Sequence, residues 1–94
     1  MNSDRKLTRK YLSRVPPLLA MSQIEEYKIP SPQKEVLIAA CVKSLSTFEA
    51  IDWLSKEYKI NMSQWQFGDR LQEGLIKFYE THTLLGRDFV SYLE

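Results

Sequence analysis

The sequence predicts an all-α fold of five or six short helices around one core. Three observations predict it. Apolar residues recur every three or four positions in successive segments, the spacing of a one-sided helix. Prolines and two Ser-x-x-Glu/Gln stretches punctuate those segments where helices start and stop. No β-hairpin dipeptide, internal repeat or low-complexity tract occurs. At 94 residues, 44% hydrophobic and 27% charged, the chain suits a single helical domain over 1–94.

The elements follow in order. Segment 4–14 carries Leu7, Tyr11 and Leu12 on one side and Arg5, Lys6, Arg9, Lys10 and Arg14 on the others, a basic N-terminal helix or arm over 1–15. Pro16-Pro17 closes it, because the residue before a proline resists helix, and Pro17 suits the first turn of the next. Segment 17–27 repeats the period with Leu18, Met21, Ile24 and Tyr27. Pro30 and Pro32 mark a second break. Ser31 as N-cap and Pro32 at the first helical position predict a helix over 32–45, and its near-continuous apolar run, Val36 to Val42, makes it the buried core helix. Cys41 lies in that run, where nothing stabilises a thiolate, and is expected to be a buried, inert thiol.

Ser46-Thr47-Phe48-Glu49 has the spacing of a capping box and opens a helix over 47–58 with the stripe Phe48, Ile51, Leu54 and Tyr58. Trp53 falls off that stripe, on a second contact face or in solvent. A turn follows, and Ser63-Gln64-Trp65-Gln66 opens the next helix, whose inner residues are expected to be Trp65, Leu71, Leu75, Phe78 and Tyr79. Gly68 and Gly74 each weaken that helix by about 1 kcal/mol relative to Ala, so both are expected to permit close approach of a neighbour. Leu84, Leu85, Phe89, Val90, Tyr92 and Leu93 form an apolar tail that Gly86 interrupts, with Asp88 as a candidate cap.

Several chemistries are excluded at this level. One Cys cannot form an intramolecular disulfide, and one Cys with one His cannot make a Cys/His zinc site within the chain. The spacing of Gly68, Gly74 and Gly86 fits neither a Rossmann turn nor a P-loop. His82 has no nucleophile beside it and reads as a surface histidine in a helix-end linker. Glu25-Glu26 and Asp52 with Glu49 read as solvated faces. No catalysis, metal or cofactor is expected. The apolar stretch Val15 to Met21 contains two prolines and is too short for a secretory signal, and no stretch approaches the roughly 18 apolar residues of a membrane span. The expectation is a cytoplasmic protein.

One pattern has mechanical content. A helix-turn-helix needs an apolar residue followed by a small one in its first helix, an apolar helix end, an apolar plug in the turn and a large inner residue early in the second helix. Leu54-Ser55, Tyr58, Ile60 and Trp65 supply these within a unit spanning 46–80. Lys59 stands where glycine often supplies a positive φ, and Gly68 stands where an inner apolar residue belongs, with Leu71 one turn later. The outward residues would be Asn61, Met62, Ser63, Gln64, Gln66, Phe67 and Arg70. Asn, Gln and Arg pair bidentately with adenine and guanine edges, and Ser63 with the amides at the helix start suits a phosphate. Asp69 opposes a polyanion. An ordinary αα-corner with a solvated surface fits the same spacing.

Glu57-Tyr58-Lys59-Ile60-Asn61, with Arg70-Leu71 beyond it, resembles the helix-turn-helix of the small regulators of fimbrial (adhesin) operons. Ile29-Pro30-Ser31 and Val36-Leu37-Ile38-Ala39 resemble the segment before that motif. The likeness covers about half of the chain. Ser55 stands where that family has Cys, the turn-to-helix spacing differs by one residue, and the basic N-terminal helix has no counterpart. The resemblance implies an all-helical protein that binds DNA as an oligomer and controls adhesin expression.

Charge adds an asymmetry. Residues 1–14 hold five basic groups and one acid; the remainder holds eight basic and eleven acidic groups. Arg5, Lys6, Arg9 and Lys10 are therefore candidate phosphate contacts beside Ser63, Gln64, Gln66, Phe67 and Arg70. A solvated helix and a weak membrane-surface helix are the other readings of the basic segment. Trp53, Phe89, Tyr92 and Leu93 suggest a self-association surface, hence a homodimer or higher homo-oligomer. The competing functional reading is an adaptor or anti-regulator whose groove takes a helix of a protein partner, without nucleic acid.

Overall fold

The computed structural model describes residues 2–89 and is all-helical over that span. Its helices are α1 (Asn2–Arg14), α2 (Pro17–Glu26), α3 (Gln33–Leu37), α4 (Thr47–Tyr58) and α5 (Gln64–Leu84). A π-helical segment, Ile38–Val42, continues α3. Val90, Tyr92 and Leu93 lie outside the described residues. Among the described residues no helix is long and apolar enough to cross a membrane.

The centre is the α3–π unit. Val36 to Cys41 are all buried, as the continuous apolar run predicts. α3 packs on α5 and α4, while the π segment touches α1, α2 and α4, so the unit is enclosed on every side. The wide turn is visible in Lys43 N–H donating to Ile38 O at 2.8 Å, five residues back. The helix starts one residue later than expected: Pro32 is the N-cap, and the Ser31 hydroxyl donates to Glu35 Oε2 at 2.9 Å instead of capping. The unit ends at Val42, short of 45.

Burial places Cys41 as expected and pushes its thiol up to about 11. Cys41→Ser should cost about 1–2 kcal/mol, because a hydroxyl would enter an apolar site. Native-state labelling by a thiol reagent should be slow; rapid labelling would contradict the burial.

The other helices obey the expected period but often choose a different face. α1 buries Thr8 with Tyr11 and Leu12, and Val15 just beyond its end is buried too, leaving Leu7 half-buried. Thr8 enters the core because its hydroxyl donates to Asp4 O at 2.8 Å. α2 turns Ala20, Gln23, Ile24 and Tyr27 inward, and Leu18 is 82% exposed with Met21 also outside. The small Ala20 permits close packing, and Gln23 Oε1 accepts the Tyr11 hydroxyl at 2.8 Å. α4 buries Ala50 and Leu54 while Phe48 and Tyr58 are exposed. Trp53 is half-buried, with the Tyr58 ring edge-on at 5.2 Å and Lys43 Nζ 5.3 Å from its ring centre.

α5 runs past the expected end at 80 and buries Phe67, Leu71, Gly74, Leu75, Phe78 and His82. Trp65, expected inside, is 86% exposed. It precedes Leu71 by six residues, roughly 1.7 turns, so the two cannot share a face once Phe67 and Leu71 turn inward. Gly74 is the point of close approach: a Cβ there would sit 2.9 Å from Leu37 Cγ. Gly68 was expected to do the same but faces open space. Gly86, at φ +75°, ends the helix.

His82 is not a surface residue. It is 1% exposed, and Phe89, expected on an association surface, is buried against it at 4.3 Å between ring centres. Nδ1 lies 2.7 Å from Tyr27 Oη, and Nε2 lies 3.0 Å from Asp88 O. A carbonyl only accepts, so Nε2 carries the proton and Nδ1 accepts from the Tyr27 hydroxyl. Tyr27 Oη in turn accepts from Arg87 Nη1 at 3.0 Å, and Arg87 pairs with Glu26. This chain of bonds folds the segment after α5 back onto α2.

Candidate nucleic-acid interface

Local sequence sets the geometry between α4 and α5. The first capping box forms as spaced: Ser46 Oγ accepts Glu49 N–H, and Glu49 Oε1 accepts Ser46 N–H at 2.9 Å. Those bonds to Ser46 hold the Glu49 carboxyl below its ordinary pKa, which favours the charged form at the positive end of α4. α4 ends at Lys59, whose φ of 59° supplies the left-handed turn usually given by glycine. Ile60 is half-buried against the core and plugs the turn. Asn61 Oδ1 accepts the Ser55 hydroxyl at 2.8 Å, tying the turn back to α4. The second box then starts α5, with Ser63 N–H donating to Gln66 Oε1 at 2.9 Å and Gln66 N–H donating to Ser63 Oγ at 3.2 Å.

Candidate residues divide accordingly. Ser63, Gln64 and Gln66 are exposed at the start of α5, although the Ser63 hydroxyl and the Gln66 carbonyl serve the cap. Phe67 is buried at the α4–α5 end of the core and cannot contact DNA, which corrects its place among the candidate contacts. Its inward position follows from the buried series Phe67, Leu71, Gly74 and Phe78, spaced by four, three and four.

Arg70 is half-buried and directed at Glu73, both carboxylate oxygens lying within 2.9 Å of Nη1. Glu73 Oε1 also accepts from Gln33 Nε2 at 2.6 Å, so this set links α5 to α3. Arg70, then Gln33, holds the Glu73 carboxyl below its ordinary pKa. Gln66 and Arg70 do share one flank of α5, as their spacing implies, but it is the flank toward α3.

Beside that flank, about 100° further round the helix, runs a second exposed strip. Trp65, Asp69, Gln72 and Ile76 follow the spacing i, i+4, i+7, i+11 and form an exposed stripe. α1 packs along α5 beside it. Arg5, Lys6 and Arg9 of α1 meet Gln72 and Leu75 of α5 in a shallow groove of 140 Å³. Lys6 and Lys10 line a neighbouring groove of 270 Å³ with Ser3 and Leu7. Three basic residues of α1 thus sit beside α5, and Gln72 is two turns, about 10 Å, along the axis from Trp65. Trp65 and Gln72 were missed because their side of the helix is set by which apolar residues the core accepts.

Among the described residues no three His, Cys, Asp or Glu side chains gather into a potential metal site. No protein-family model, curated protein or solved structure matches the chain.

Proposed function

We propose that the protein is a small sequence-specific DNA-binding regulator, acting as a homo-oligomer, that sets the start of α5 in a groove of duplex DNA. The observation that carries this reading is the packing of α1 beside α5, which gathers Arg5, Lys6 and Arg9 around Gln72 on the flank that also bears Trp65. A helix whose exposed start carries Ser63, Gln64 and Trp65 supplies base contacts, and cations alongside it supply phosphate contacts. The likeness of Glu57–Asn61 to the turn of the fimbrial-operon regulators supports the same reading, and so does the left-handed Lys59 in that turn.

Duplex binding measured by fluorescence anisotropy over a salt series tests this. Affinity should fall linearly with salt on logarithmic axes. The triple substitution Lys6→Gln, Arg9→Gln, Lys10→Gln should lower that slope by about 3 on every sequence alike. No binding at about 50 mM salt would defeat the proposal. The exposed Phe48 and Trp65 favour a second reading, docking of an apolar helix of a protein partner. Complexes of that kind should hold their affinity as salt rises.

A further inference from the structure

We propose that Trp65 and Asp69 are the specificity-determining residues of α5, Trp65 contacting a thymine methyl and Asp69 accepting from a cytosine amine one or two base pairs away. This rests on the DNA-binding reading above. They are one turn apart on the exposed stripe, about 6 Å along the helix axis, less than the rise of two base pairs.

The chemistry follows from what each side chain offers. Trp65 is 86% exposed at the second position of the helix, where no neighbouring element covers it. An indole has a single N–H donor and no acceptor, so it cannot form the bidentate pairs that identify adenine or guanine. Its large apolar edge matches the one apolar feature of the major groove, the C5 methyl of thymine. Asp69 is exposed and makes no ion pair among the described residues. The adjacent Arg70 is bound to Glu73, so the stripe presents the carboxylate and withholds the cation. A carboxylate in the groove meets a favourable partner only where a base offers an amine; adenine N6 lies beside the N7 acceptor, which repels a carboxylate, so cytosine N4 is the donor that suits it. Elsewhere it is repelled by phosphates, which weakens binding to unrelated sequences. The α1 cations beside Gln72 provide the attraction that offsets this repulsion, and they do so without regard to sequence.

The test uses the full chain and a preferred duplex selected from a random-sequence pool. That duplex should contain a T and a C within two positions of each other. Replacing the thymine by uracil removes only the methyl and should weaken the parent about 4-fold, the value of one buried methyl group. Trp65→Ala, which should keep the parent's circular dichroism and melting behaviour, should be indifferent to that replacement. Asp69→Asn should shift the preference at the cytosine position to adenine, by about tenfold. An equal uracil effect in parent and Trp65→Ala, or retained cytosine preference in Asp69→Asn, would overturn this assignment while leaving α5 as the reading helix. Emergence of no preferred duplex would overturn the proposed function with it.

Discussion

His82→Ala should destabilise the fold by about 3 kcal/mol or more. The ring is fully enclosed, with centres at 5.0 Å from Tyr11, 5.5 Å from Phe78 and 4.3 Å from Phe89. Truncation opens a cavity among aromatic rings that cannot collapse freely around it. It also strips an acceptor from the Tyr27 hydroxyl and a donor from Asp88 O. His82→Phe separates the two effects: it refills most of the volume but restores neither hydrogen bond, and should cost about 1–2 kcal/mol. Urea unfolding followed by tryptophan fluorescence measures both. If His82→Ala unfolds at the parent's midpoint, the bond chain from Tyr27 through His82 to Asp88 does not anchor the segment after α5.

Two glycines ten ångströms or so apart on one helix should respond with opposite sign. Gly74→Val should cost about 3 kcal/mol, since added carbons would press on Leu37, whose Cγ, Cδ1 and Cδ2 already lie 2.9, 3.2 and 3.3 Å from the first of them. Leu37 is fully buried on the core helix, so it yields only by displacing packed neighbours. Gly74→Ala should fall between, because overpacking is partly offset by the gain in helix propensity. Gly68 has nothing within 4 Å of such a carbon, so Gly68→Ala should stabilise α5 by up to about 1 kcal/mol. Thermal melts of the variants read the signs directly. Loss of stability in Gly68→Ala, or tolerance of Gly74→Val, would mean that α5 meets α3 at another register.

Both predictions concern positions that the sequence alone reads differently. His82 sits between polar residues, Glu80-Thr81 and Thr83, and its burial depends on Tyr27, 55 residues away, and on the return of Phe89 over it. Gly68 and Gly74 have equal helix propensities and differ only in whether Leu37 lies opposite. Arg70 presents the same case: its spacing gives its flank, but the pairing with Glu73 and the link to Gln33 depend on α3 lying alongside.

Features whose causes span about four residues are legible in the chain alone. Two capping boxes set the starts of α4 and α5 because each is closed by side chains three residues apart. Pro17 marks the start of α2, and an apolar run with no polar face marks the core helix and the buried Cys41. The basic character of α1 is equally plain. Which face of each amphipathic helix turns inward depends instead on packing between helices. Ala20 and Ala50 are buried where Leu18 and Phe48 were expected, and Phe67 where Trp65 was. The physical reason is that hydrophobic transfer favours burying any apolar side chain, whereas close packing admits only the shapes that the opposing helices leave room for. The same selection leaves Trp65 in solvent and brings α1 beside Gln72 on the same stripe, and so composes the candidate interface from segments distant in the chain.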